Sequence, residues 1–198
     1  QREWMQYQRG WLILIFLPPA LLLAALLLPT SIQMDDADLA PGTVFCIAML
    51  GCSIFSAVVA WAVVLFQANS LARRDVQDRS IEFWLSVPTS HASSLTAPML
   101  MHWVVLPLAA LCVGILGGAL VGLGAVARVY GPEAVLALTG FNLLPIVAAV
   151  SLRLVLGSIL FAMWLSPVLL ILMVASSWLK RWGLPVVALS YAAIGIFL

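Results

Sequence analysis

Few residues of this chain have side chains that could perform acid–base, nucleophilic or metal chemistry. The two histidines, His91 and His102, are eleven residues apart, with no cysteine or carboxylate at ligand spacing. The three cysteines lie inside apolar runs, where we expect them to pack as small apolar side chains. Neither a phosphate-binding glycine loop nor a serine with a neighbouring base occurs. We therefore expect no catalytic residue, no metal and no cofactor in this chain.

The charged residues are concentrated in one short segment, Arg73–Glu82, which holds six charges within ten residues. A compact group of apolar residues overlaps the C-terminal end of this charged segment. In a helix, Ile81, Trp84 and Leu85 share one face, and Pro88 ends that helix because the residue before a proline is pushed out of the helical region. The pattern predicts a short amphipathic helix. Its aromatic face is buried either at the membrane interface or in a groove on a partner protein.

The elements that position this helix are predicted to be membrane spans. Hydrophobic residues make up 64% of the chain and charged residues 9%, whereas a soluble domain carries roughly 25% charged residues. A net charge of +1 offers no basic surface for nucleic acid. The charge-free runs match helices that span a bilayer, and they are too long for barrel strands. They predict one all-α transmembrane domain, a polytopic helical bundle over 1–198, with visible spans at 11–28, 43–67, 100–124, 154–179 and 184–198.

Basic residues near the span ends predict the orientation. Arg2 and Arg9 precede the first span, the loop 68–99 carries three arginines, and the turn 180–183 carries Lys180 and Arg181. These parts are predicted to be cytoplasmic, and the acidic loop 29–42 to lie outside. We expect a multi-pass protein of the cell inner (plasma) membrane with a cytoplasmic N-terminus. Because the sequence starts without Met and stops inside an apolar run, we also expect a longer gene product with six spans.

The outer segment 125–153 fits this scheme less well. It contains Arg128 and Arg153 on the predicted outer side, and an apolar run, 134–152, that is interrupted by Gly140 and Pro145. We favour an interfacial or re-entrant helix for this run. A spanning helix is the alternative, but it would move the basic turn 180–183 to the outside and break the charge rule.

Small residues predict close helix packing in the third span. Gly114, Gly118 and Gly122 recur every four residues and form one smooth face. That face could be the seam between two copies or a contact within one chain, and we favour the contact within the chain. No Asp, Glu, Lys or Arg lies inside the predicted spans, which argues against a proton- or ion-coupled carrier.

The stretch from Asp78 to Ser90 resembles the cytoplasmic loop of ABC-2 type permeases, the membrane subunits of ATP-binding-cassette exporters. The residues that carry the resemblance are Asp78, Arg79, Ser80, Ile81, Phe83, Trp84, Ser86, Pro88 and Ser90. The stretches 164–167 and 175–181 look like the fourth helix of that family and the basic turn after it. The chain departs from the family at Ala97-Pro98, where a lysine is frequent.

The resemblance implies a mechanism and a set of partners. Two permease copies, expected to be a homodimer in the lipid membrane, pair above two cytoplasmic ATPase subunits that bind ATP and Mg. The coupling helix that docks into the ATPase would comprise Asp78, Arg79, Ser80, Ile81, Glu82, Phe83, Trp84, Leu85, Ser86 and Pro88. The resemblance thus predicts a non-enzymatic permease subunit of an exporter. The alternative is a membrane scaffold or anchor without transport, which uses the same helix to recruit a cytoplasmic partner.

Overall fold

The computed structural model describes residues 2–28, 39–71, 91–140, 143–179 and 182–197. These residues form helices, and no strand occurs among them. In chain order the elements are α1 (Arg2–Leu27), α2 (Pro41–Leu71), α3 (His91–Leu100), a π-helical turn (Met101–Val105), α4 (Leu106–Tyr130), α5 (Pro132–Gly140), α6 (Leu143–Leu179) and α7 (Gly183–Phe197). The predicted all-α polytopic helical bundle is confirmed.

Four helical stretches are long and apolar enough to cross a membrane. They are Gln8–Leu27, Pro41–Ala68, Thr96–Tyr130 and Leu143–Leu179, with mean hydropathies between 2.3 and 2.5. Large apolar side chains also point away from the rest of the protein: on α6, Trp164 is 73% exposed and Trp178 is 85% exposed. A surface of this kind suits hydrocarbon and would be unfavourable in water. The chain is a multi-pass membrane protein.

The helices extend beyond the predicted spans, most of all in the third and the fourth. The predicted outer helix 134–152 is divided between α5 and the start of α6, which then continues to Leu179 without a break. Pro145 is compatible with this start because it lies in the first turn of α6, where backbone N–H groups have no partner in the helix. The position of 134–152 relative to the membrane stays a prediction. So does a fifth crossing, since α7 has only 15 residues.

The turn between α4 and α5 depends on a glycine. Gly131 has a φ of +89°, a left-handed conformation that an L side chain rarely adopts. Its N–H donates to the carbonyl of Ala127 at 3.0 Å, which satisfies one of the last carbonyls of α4. Pro132 then begins α5 at the first helical position, where the absence of an N–H costs nothing.

The chain forms two compact units, each described by itself: Gln1–Ala60 with Leu106–Ser158, and Trp61–Val105 with Ile159–Leu198. The core of the first unit is built by apolar side chains of α2, α4 and α5. Its buried members are Val44, Phe45, Met49, Leu111, Ile115, Val126 and Leu138. Because lipid is as apolar as these side chains, close packing holds the helices together more than escape from water does.

The glycine face of α4 packs against α2 of the same chain. A Cβ atom at Gly118 would lie 2.7 Å from the carbonyl oxygen of Met49, and one at Gly122 would lie 2.9 Å from the carbonyl oxygen of Phe45. At Gly114 a Cβ atom would lie 2.7 Å from the Cβ of Ser56. These distances are shorter than van der Waals contact, so the two backbones approach as closely as glycine allows.

The second unit is held by aromatic and branched side chains. The rings of Trp61 and Phe161 meet edge to face, with centroids 5.1 Å apart. Leu169 and Leu172 are buried one turn apart on α6. At the start of α7, Gly183 lies so close to α6 that a Cβ atom there would be 2.6 Å from the Cα of Ser176.

Gly118→Ala should destabilise the protein by roughly 1–3 kcal/mol, because the added methyl group meets backbone of α2 that cannot move aside locally. The matched control is Gly51→Ala, within α2, where a Cβ atom has nothing within 4 Å. In the control, alanine should leave stability unchanged or raise it by about 0.5–1 kcal/mol through helix propensity. Thermal unfolding in one detergent compares the two; equal melting temperatures would contradict the packing described.

Candidate functional site

The predicted coupling helix, Asp78 to Pro88, lies outside the described residues. Its two anchor points are described. Helix α2 ends at Leu71 and α3 begins at His91, so residues 72–90 connect two helices that contribute to membrane-crossing stretches. All ten predicted coupling residues belong to this connection, and their role stays a prediction.

The helix that follows this connection is irregular. Pro98 lies inside α3, where its ring crowds the preceding turn and it has no N–H to donate. Three residues later the helix adopts the π-helical turn Met101–Val105, which holds an extra residue compared with a regular α-helical turn. The sequence singles out His102 by its type but predicts neither this turn nor the burial of His102 and Trp103 in it, although Pro98 marks the place.

His102 has a defined structural contact within the π-helical turn. Its side chain is 1% exposed, and its ring Nδ1 lies 2.9 Å from the carbonyl oxygen of Pro98. Because a carbonyl oxygen can only accept, Nδ1 is the donor in this bond. The neighbouring Trp103 is also buried, and its indole N–H has no hydrogen-bond partner among the described residues.

Two polar side chains at the C-terminal end of α4 bind backbone directly before and directly after residues 29–38, the part of the acidic loop that carries its aspartates. The Arg128 guanidinium donates to the carbonyl oxygens of Leu26 and Leu28, the latter at 2.5 Å. The Tyr130 hydroxyl donates to the carbonyl oxygen of Leu39. The loop residues 29–38 therefore start and end at backbone that α4 holds. We call Arg128 and Tyr130 the α4 clasp.

The α4 clasp explains a basic residue that the charge rule disfavours on the predicted outer side. Helix α1 has no basic residue in its own last turn, so its C-terminal carbonyls lack a local cation. Arg128 supplies that charge from α4. Sequence reasoning noted Arg128 as an exception but missed its partners, because the contact joins residues about a hundred positions apart.

An apolar cavity of about 460 Å³ lies in the first unit, at the starts of α2 and α6 and along α5. Its lining residues are Ala40, Pro41, Gly42, Ala134, Ala137, Leu138, Leu143 and Ile146. No side chain in this lining carries a hydrogen-bonding group. The cavity therefore supplies shape without the polar contacts that orient a polar ligand.

Two kinds of polar group bear on possible chemistry, the metal-ligating side chains and the buried serine hydroxyls. Within the described ranges, no three His, Cys, Asp or Glu side chains are grouped closely enough to hold a metal ion. The buried hydroxyls of Ser53 and Ser176 donate to backbone carbonyls of Met49 and Met173, at 2.7 and 2.8 Å. Such bonds satisfy hydroxyls inside helices.

No protein-family model matches this chain, and neither a curated protein nor a solved structure matches it. The class that the fold defines is a multi-pass helical membrane protein. The resemblance of the residues from Asp78 to Ser90 to ABC-2 type permeases stays a prediction.

Arg128→Gln should lower the free energy of unfolding by about 1 kcal/mol, since it weakens two charge-assisted hydrogen bonds at an exposed site. The control is Arg153→Gln. Arg153 is exposed on α6 and forms no hydrogen bond or ion pair with the described residues, so its replacement should change stability by less than about 0.5 kcal/mol. Unfolding measured in the same lipid–detergent mixture tests the pair. Similar losses of unfolding free energy in both variants would show that the α4 clasp adds nothing to stability.

Proposed function

We propose that this chain is the membrane-spanning permease subunit of an ATP-binding-cassette exporter, which couples ATP hydrolysis by a separate ATPase subunit to substrate movement. The observation that carries the proposal is the position of the segment 72–90. It holds the densest group of charges in the chain and a compact aromatic cluster, and it joins the ends of α2 and α3. A force on this segment therefore reaches two membrane helices directly.

The residue types in the segment suit a docking helix. The buried anchor that enters a groove on the ATPase comprises Ile81, Phe83, Trp84 and Leu85, because aromatic anchors supply most of the binding energy in such interfaces. Asp78, Arg79 and Glu82 lie at the rim and fix the register more than they add affinity. ATP-driven closure of the two ATPases then displaces the helix and the spans attached to it.

The four membrane-crossing stretches contain no Asp or Glu, which favours an external energy source. A carrier driven by protons or sodium needs acidic groups or a relay of titratable groups inside the membrane. Besides cysteines and Tyr130, the ionisable residues in these stretches are Arg9, Arg128, Arg153 and His102, whose ring donates to the carbonyl of Pro98. Transport through this chain would then need energy from elsewhere, and a partner subunit that hydrolyses ATP supplies it.

A second copy of the chain is the proposed membrane partner. Trp164 is 73% exposed near the middle of α6, whereas tryptophan prefers the two membrane interfaces. Leu160 and Ile171 are exposed on the same face of this helix. A neighbouring protein helix would remove this tryptophan from contact with lipid tails, and a homodimer provides such a helix.

Trp84→Ala should weaken binding of the ATPase about thirtyfold or more, as expected when a hot-spot aromatic residue worth about 2 kcal/mol is removed. The measurements are co-purification of an ATP-binding subunit with the tagged chain and ATPase activity of the reconstituted complex. Trp178→Ala is the matched control, because Trp178 is 85% exposed and lies outside the proposed docking segment.

The control variant Trp178→Ala should keep both the co-purification of the ATP-binding subunit and the ATPase activity at the wild-type level. If Trp84→Ala also retains normal assembly and ATPase activity, the segment is not the coupling helix. Recovery of a reproducible partner that binds no ATP would favour the scaffold function instead.

A further inference from the structure

We propose that the apolar cavity of the first unit binds one acyl chain of a membrane phospholipid, which stays with the protein as a resident lipid. The cavity has a volume of about 460 Å³ and lies at the starts of α2 and α6 and along α5. All its lining residues belong to the first unit. The proposal goes beyond the proposed function and does not depend on an ATPase partner.

The cavity has a buried inner wall and an open side. Leu138 is 7% exposed and also belongs to the apolar core of the unit, so it forms the inner wall. Ala40, Ala137 and Ile146 are exposed, so the cavity opens to the surroundings where they lie. An acyl chain can therefore enter from outside the protein without any separation of the helices.

Small residues leave this space open. Ala134, Ala137 and Leu138 are spaced i, i+3 and i+4, so they share one face of α5, and two of the three are alanine. At Gly42, a Cβ atom would meet one atom of the described residues within 4 Å, the Leu138 Cδ2 at 3.8 Å, which is ordinary contact. The glycine face of α4 differs, because α2 fills the space beside it. The space beside Gly42 is therefore not used for helix packing.

The chemistry of the lining selects a hydrocarbon ligand. An enclosed water needs roughly two to four polar partners, and the lining side chains offer none. The volume is about three times the roughly 150 Å³ of an engineered apolar cavity that stays dry and binds benzene. Close-packed proteins rarely leave so large a void empty. An alkyl chain fills it without the loss of any hydrogen bond.

The position of the cavity selects a phospholipid as the source of that chain. Helices α2 and α6 each begin here a stretch that is long and apolar enough to cross a membrane, Pro41–Ala68 and Leu143–Leu179. Next to the cavity, the exposed Tyr130 hydroxyl donates to the carbonyl of Leu39, the residue before Ala40. Tyrosine is enriched where lipid headgroups meet their chains. A phospholipid at this level can insert one chain while its headgroup stays at the interface.

Shape distinguishes such a resident lipid from those that cover the outer faces of the helices. Bulk lipid is as apolar as the cavity, so transfer of a chain from the bilayer gains little from the hydrophobic effect. The gain comes from dispersion contacts with lining atoms that an empty cavity leaves without partners. The resident chain should therefore exchange with bulk lipid more slowly than the lipids on exposed helix faces.

The test uses a phospholipid with a photoreactive diazirine on its acyl chain, in nanodiscs that hold the full-length chain. After irradiation, mass spectrometry locates the labelled residues. Leu138 should be labelled although it is almost buried, because a chain in the cavity contacts it. Leu116, which is 69% exposed on α4, reports the lipids on the outer surface. Labelling of Leu116 without labelling of Leu138 would overturn the proposal.

Two variants should close the site. In Gly42→Leu, labelling of Leu138 should be lost, because the new side chain occupies the space of the acyl chain. Ala134→Leu fills the cavity from α5 and serves if the first variant does not fold. The matched control is Gly51→Leu, at an exposed position of α2 outside the lining, which should keep the labelling. Undiminished labelling of Leu138 in a folded, filled variant would contradict the site.

Native mass spectrometry of the purified protein identifies the ligand. After repeated detergent exchange, one phospholipid should remain bound to each chain of the wild type and of Gly51→Leu, and none to Gly42→Leu. Retention of a free fatty acid or of detergent alone would overturn the assignment to a phospholipid. These measurements need no ATPase, so a failure of the proposed function leaves their outcome unaffected.

Discussion

In lipid, a backbone polar group has no water to bind, and this constraint shapes the whole chain. It explains why the described residues are helical and why side chains bind backbone where a helix ends. Arg128 binds the carbonyls of Leu26 and Leu28, at the end of α1 and just beyond it. Ser53 and Ser176 bond to carbonyls of their own helices for the same reason. Several of the few polar side chains that are described therefore bind the backbone.

Because apolar burial drives little association inside a membrane, shape becomes the main source of stability. In the first unit, glycine allows two helices to fit closely. Helix α4 presents Gly114, Gly118 and Gly122 to α2, and a Cβ atom at any of them would overlap α2. The result is a rigid pair of helices.

The C-terminal end of α4 is held by polar contacts. Arg128 joins it to the end of α1, and Tyr130 joins it to the backbone before α2. The glycine packing along α4 and the α4 clasp at its end therefore act on the same helix.

The sequence alone determined the class of fold, because long charge-free runs can satisfy their backbone in lipid only as helices. It also determined which residues are small enough for close packing, as at Gly118. Only the tertiary structure decided which helix those glycines meet. It also placed Arg128 on the end of α1 and a π-helical turn around His102. These features depend on contacts between distant residues or on the balance of forces within one turn, and neither has a periodic pattern that a sequence displays.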